Sequence, residues 1–128
     1  MTASMMTRLL LLVLLPLLTL ATLSRAELQY MSVTPDNSVL LANALGQARN
    51  YDSQMTMPIC FIKIEAVWRE SLDDGARYVY EVQGCEVREF SGFGVCKHGE
   101  CGVQRYQVHI FAPRDSITAT VQNVWELQ

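Results

Sequence analysis

The sequence predicts an α+β fold, one α-helix packed on a four- to five-stranded antiparallel meander sheet. Three observations carry this expectation. Residues 38–50, SVLLANALGQARN, hold Leu41, Leu45 and Ala48 at i, i+4 and i+7, a single apolar stripe of helical period, widened by Leu40 and Ala44. Downstream, the apolar residues alternate with polar ones at period two, the mark of half-buried antiparallel strands. A glycine- or proline-bearing turn then separates each pair of strands.

The elements follow in order. Arg8 precedes an apolar run over residues 9–23 that is interrupted by Pro16, and Ser24 and Ala26 stand at the small −3 and −1 positions of a cleavage site. The run falls short of the roughly 20 residues a spanning helix needs. It predicts a signal peptide over 1–26, a mature domain over 27–128 and a secreted chain with no stable membrane insertion after cleavage. Cleavage would remove Arg8 and Arg25 from the 10 basic residues and leave all 13 acidic ones, a formal charge of −5. That acidic balance, without a basic run, excludes nucleic acid as an expected partner, since binding of that kind is driven by phosphate neutralisation.

LQYMSV (28–33) is a short first strand by its weak alternation. TPDN opens the helix, with Pro35 as lead-in and Asp36 or Asn37 as candidate N-cap. Gly46 costs about 1 kcal/mol relative to Ala inside a helix, so packing or a close neighbouring backbone must offset it. CFIKIEAVWRE (60–70) assigns Ile62, Ile64, Ala66 and Trp68 to one face and Lys63, Glu65 and Arg69 to the other. ARYVYEV (76–82) puts Tyr78, Tyr80 and Val82 together. Asp73, Asp74 and Gly75 form the hairpin turn between these two strands, glycine relieving a demanding backbone angle. Residues 103–112 and 116–127 make a second hairpin around Pro113, Arg114 and Asp115.

Cys60, Cys85, Cys96 and Cys101 are an even set in a small domain expected to be secreted, so two disulfides are expected. Cys96, His98 and Cys101 would be the alternative metal set, but their spacing is not a usual zinc pattern. No catalytic residue, metal or cofactor is expected. His109 alternates with Val108 and Ile110 as a solvent-facing strand residue, and Trp68 and Trp125 read as core or sheet-face packing. The SGFG stretch (91–94) either exposes Phe90 or Phe93 or folds back over the sheet.

GARYVYEVQGCEV, YQVHIFAPRDSITATVQ and LGQARN together resemble the secreted cystatins, inhibitors of papain-like cysteine proteases. The resemblance implies a reversible, non-covalent wedge built from two hairpin loops and an N-terminal segment. Carried over by position, the first loop is Ser71, Leu72, Asp73, Asp74 and Gly75, with Leu72 to Gly75 as the protease-binding residues, and the second is Pro113 with Arg114. The cystatin first loop is of the Gln-Val-Val-Ala-Gly type, the second carries Pro-Trp, and the N-terminal segment holds a glycine. Here two aspartates and an arginine replace apolar residues, and residues 27–34 contain no glycine. Burying two unpaired carboxylates would cost several kcal/mol. Asn50 falls where the family's legumain-binding asparagine stands, but Tyr51 replaces the aspartate that usually follows, and the expectation for Asn50 is a helix-ending role. The resemblance also implies Cys85–Cys96, which leaves Cys60–Cys101. Cys60–Cys85 with Cys96–Cys101 is the alternative, disfavoured without a bulge because strict alternation puts Cys60 and Cys85 on opposite faces. The expected function is a divergent inhibitor of an extracellular or lysosomal papain-like cysteine protease, or a non-inhibitory relative. A host-defence, venom or other extracellular binding scaffold is the alternative. A monomer is expected.

Overall fold

A computed structural model of the chain describes residues 27–52, 56–88, 93–97, 101–116 and 118–128. The expected leader lies outside the described residues, as do Phe90 and His98. The element order is β1 (Gln29–Met31), α1 (Pro35–Leu45), a 3-10 turn (Ala48–Asn50), β2 (Ile59–Leu72), β3 (Gly75–Glu86), β4 (Gly94–Val95), β5 (Gln104–Pro113) and β6 (Thr120–Leu127). One helix packs on one face of a mostly antiparallel sheet ordered β1-β2-β3-β5-β6, with β4 alongside β2. The α+β expectation holds. The strand count does not: a sixth, two-residue strand pairs parallel to β2 through Cys60↔Gly94 and Phe61↔Val95.

The helix starts and stops where its local chemistry dictates. Thr34, not Asp36 or Asn37, is the N-cap; its hydroxyl accepts from the Asn37 amide at 3.2 Å while the Asn37 side chain accepts from the Thr34 amide at 2.8 Å. This reciprocal box satisfies two of the donors that a helix start leaves open. Pro35 fits the first turn because it lacks the N–H that would otherwise be unpaired. The helix ends at Gly46 rather than running to residue 50. A Cβ at Gly46 would sit 2.9 Å from the Ala42 carbonyl oxygen, and Gly94 packs close beside it. The expected close backbone is therefore β4. Asn50 is buried and donates to the Asn43 and Ala44 carbonyls at 3.1 and 3.2 Å, closing the helix C-terminus.

Leu41, Ala44 and Leu45 of α1 meet Phe61, Val67, Tyr80, Val82, Val108 and Ile110 of the sheet in one buried cluster. Fully burying a side chain of this size contributes about 1.5–3 kcal/mol relative to leaving it exposed. Tyr80, buried at the centre, donates its hydroxyl to the Asn37 carbonyl at 2.8 Å and so ties β3 to the first turn of α1.

The faces of β2 depart from strict alternation. Register shifts between Phe61 and Lys63 and between Ile64 and Ala66 insert extra residues. Each bulge flips every later side chain to the other face. Ile64, Val67, Arg69 and Ser71 therefore share the helix side, while Ala66, Trp68 and Glu70 turn outward. The expected grouping of Ile62, Ile64, Ala66 and Trp68 is overturned, and Arg69 is separated from Lys63. On the outer face Tyr30 meets Trp68 edge-on at 5.7 Å and His109 lies 4.6 Å from Trp125, ring centre to ring centre. Val79, opposite both Trp68 and His109, is buried by this layer. His109 is thus half-buried, not simply solvent-facing.

Both expected pairings of the cysteines are corrected: Cys60 joins Cys96 and Cys85 joins Cys101. The bulges place Cys60 directly opposite Cys85. The chain then passes to the far edge of β2, where the Cys96 amide donates to the Phe61 carbonyl at 3.0 Å, and Cys96 bridges to Cys60 across a Cα separation of 4.9 Å. Returning toward β5, which neighbours β3, it carries Cys101 to within 6.0 Å (Cα–Cα) of Cys85. The sulfurs of Cys60, Cys85 and Cys96 lie within 4.8 Å of one another because both bridges occupy one end of the sheet. Among the described residues, no helix is long and apolar enough to cross a membrane.

Candidate functional site at the paired hairpin tips

Register alone brings the two predicted loops together. The β2–β3 hairpin turns through Asp73 and Asp74 between the partners Leu72 and Gly75. On its other side β3 pairs with β5, and the last rung is Gly75↔Pro113. One more bond crosses beyond the ladder: the Arg114 amide donates to the Asp74 carbonyl at 2.9 Å. Glycine is required at position 75, since a Cβ there would collide with the Ala112 carbonyl and lie 2.9 Å from the Pro113 Cα. Leu72, Asp73, Asp74 and Gly75 of the first loop and Pro113 and Arg114 of the second thus form one edge. Asp73, Asp74 and Arg114 are exposed, and Leu72 is half-buried.

Between the tips, on the helix side of the sheet, lies an open cleft of about 350 Å³. Arg69, Ser71 and Leu72 of β2, Gly75, Ala76 and Tyr78 of β3, and Ala112, Pro113 and Arg114 at the end of β5 line it. Arg69 enters because the unbroken register from the Leu72↔Gly75 rung sets it opposite Tyr78. Its guanidinium donates to the Tyr78 hydroxyl at 3.2 Å and to the Ser71 hydroxyl at 2.7 Å, with Cζ 5.8 Å from the centre of the Tyr78 ring. Tyr78 in turn stacks on Tyr80, ring centres 6.1 Å apart, which connects the cleft wall to the core.

A third segment reaches the same end of the sheet. Gln29↔Arg69 and Tyr30↔Trp68 set β1 antiparallel to β2, so Leu28 and Glu27 continue in the direction of the tips. Leu28 is 44% exposed there.

The remaining sequence candidates fall elsewhere. Asn50 spends its amide on the helix carbonyls, while the Tyr51 hydroxyl donates to the Leu45 carbonyl at 3.2 Å. Burial pushes the Tyr51 phenol up to about 12. Phe93 folds back, its ring 5.7 Å from that of Tyr51. The four cysteines stand at the end of the sheet away from the tips and serve as cross-links. Sequence reading named Ser71 at the first loop but missed Arg69 and Tyr78 as site residues. The signal that could have found them is the two-residue turn at Asp73 and Asp74, whose register sets Arg69 opposite Tyr78.

No family model matches the chain, and no solved structure matches it.

Proposed function

We propose that this chain is a secreted, non-catalytic binding protein that docks on an extracellular partner with the edge formed by its two hairpin tips. The single observation behind this reading is the Gly75↔Pro113 rung with the Arg114–Asp74 bond, which joins two loops from distant sequence into one projecting surface. The cystatin resemblance supplies the partner class, a papain-like cysteine protease whose cleft the tips would plug reversibly. The helix on an antiparallel sheet, the adjacent tips and the N-terminal segment directed toward them all support that reading.

A second reading keeps the edge and changes the partner. Asp73, Asp74 and Arg114 are exposed charges where a protease wedge is apolar, and desolvating unpaired charges opposes insertion into a hydrophobic cleft. Titration of the refolded mature chain against papain and a lysosomal cathepsin separates the two. Inhibition below micromolar that is lost in Asp73→Arg or Pro113→Gly supports the protease plug. A folded chain that leaves both enzymes fully active assigns the edge to a different extracellular protein.

A further inference from the structure

The cleft between the tips has a chemistry of its own. Its two cationic lining residues are Arg69 and Arg114, and no carboxylate lines it. The other arginines on the sheet are neutralised: Arg77 meets Glu70 at 2.8 Å, and Arg105 lies 3.4 Å from Glu65 and 3.6 Å from Glu81. Arg69 differs. Among the described residues it bonds only to the neutral hydroxyls of Ser71 and Tyr78. A guanidinium carries five N–H donors in a planar fork that matches a carboxylate, so two bonds to hydroxyls leave both donor capacity and a full charge. Those same bonds fix the fork's orientation, and pre-organisation lowers the entropy an incoming ligand must overcome.

The rest of the lining fits a chain rather than a free ion. Leu72, Ala76, Ala112 and Pro113 supply an apolar wall, and about 350 Å³ accommodates more than a single small anion. Asp73 and Asp74 do not line the cleft but stand exposed at its rim, where they repel a diffuse negative ligand and favour one whose charge is confined to the point that enters.

We infer that the cleft between the hairpin tips is a carboxylate-binding site that receives an acidic side chain of a peptide segment, held by Arg69 and Arg114. The inference rests on the docking-edge reading and deepens it, by assigning an acidic character to the partner's contact segment.

The test uses the refolded mature chain and amide NMR, with acetyl-Ala-Ala-Glu-Ala-amide as probe, acetyl-Ala-Ala-Gln-Ala-amide as the uncharged control, and inorganic phosphate as a free anion. The expected result is saturable shifts of Ser71, Leu72 and Arg114 with the glutamate peptide and none with the glutamine peptide. Arg69→Gln should weaken binding at least tenfold and Arg114→Gln several-fold. Arg105→Gln, an equal change of charge on the outer face, should change it less than twofold. Arg114 is an exposed turn residue, so its variant remains informative if Arg69→Gln fails to fold. Three outcomes overturn the inference: shifts centred away from the cleft, equal losses in all three variants, or phosphate binding where the peptide does not. The assay contains no protease, so peptide binding without inhibition of papain removes the protease partner and leaves the site standing.

Discussion

Several single side chains hold contacts that substitution can weigh. Thr34→Ala removes half of the reciprocal cap on α1, and loss of such a cap costs about 1 kcal/mol. Urea unfolding followed by circular dichroism should show a loss of that size with an unchanged slope. Tyr80→Phe removes a buried hydroxyl bond to the Asn37 carbonyl and should cost about 0.5–1.5 kcal/mol in the same assay. His109 makes stability depend on pH. Burial among the outer-face rings, and then the Arg77 charge, lower its pKa from the usual value. Below about pH 6.5 the unfolded chain takes up a proton that the folded imidazole resists. Its part of the stability is therefore whole above that pH and is lost as pH falls from there to the folded pKa. The pH slope of the melting temperature over this window should flatten in His109→Gln.

Strands and turns divide into those the sequence displays and those it hides. The hairpin at Asp73–Asp74, the second turn after Pro113 and the helical stripe through Leu41 and Leu45 were legible, because each rests on contacts between near neighbours. The helix cap was misplaced by two or three residues, since Thr34, Asp36 and Asn37 all cap well and only the Asn37 return bond selects Thr34. The faces of β2 were not legible. Bulges at Ile62 and Glu65 bring Ile64 onto the face of Val67 and set Cys60 opposite Cys85, while Trp68 and Arg69 keep the faces that the hairpin register from Leu72↔Gly75 gives them. The disulfide pairing failed for a related reason. Two residues, Gly94 and Val95, cross to the other edge of β2, and so short a strand carries no periodicity. Gly94 has a φ of +91° and faces the Gly46 backbone, where a Cβ would come within 3.3 Å. At Gly75 the constraint is the neighbouring strand. Gly75→Ala should cost about 1–3 kcal/mol, the range for overpacking, and should abolish the protection of the Arg114 amide in hydrogen exchange.

Over the whole molecule, the two bridges fasten one end of the sheet and leave the opposite end to the tips. The Cys60–Cys96 bridge spans 36 residues of sequence and crosses from β2 to the segment after β4. Removing both cysteines as Cys60→Ala with Cys96→Ala should lower stability by about 2–4 kcal/mol, measured by denaturant midpoint. Peptide mapping of the unreduced chain should recover Cys60 linked to Cys96 and Cys85 linked to Cys101.

All functional assignments depend on residues from two distant loops being locked into a single ledge. Hydrogen-exchange NMR with a search for cross-strand Overhauser contacts in refolded protein spanning residues 27–128 measures that directly. A slowly exchanging Arg114 amide together with a contact between Gly75 and Pro113 is the result expected. An Arg114 amide exchanging as fast as in an unstructured peptide, with no such contact, would contradict the account.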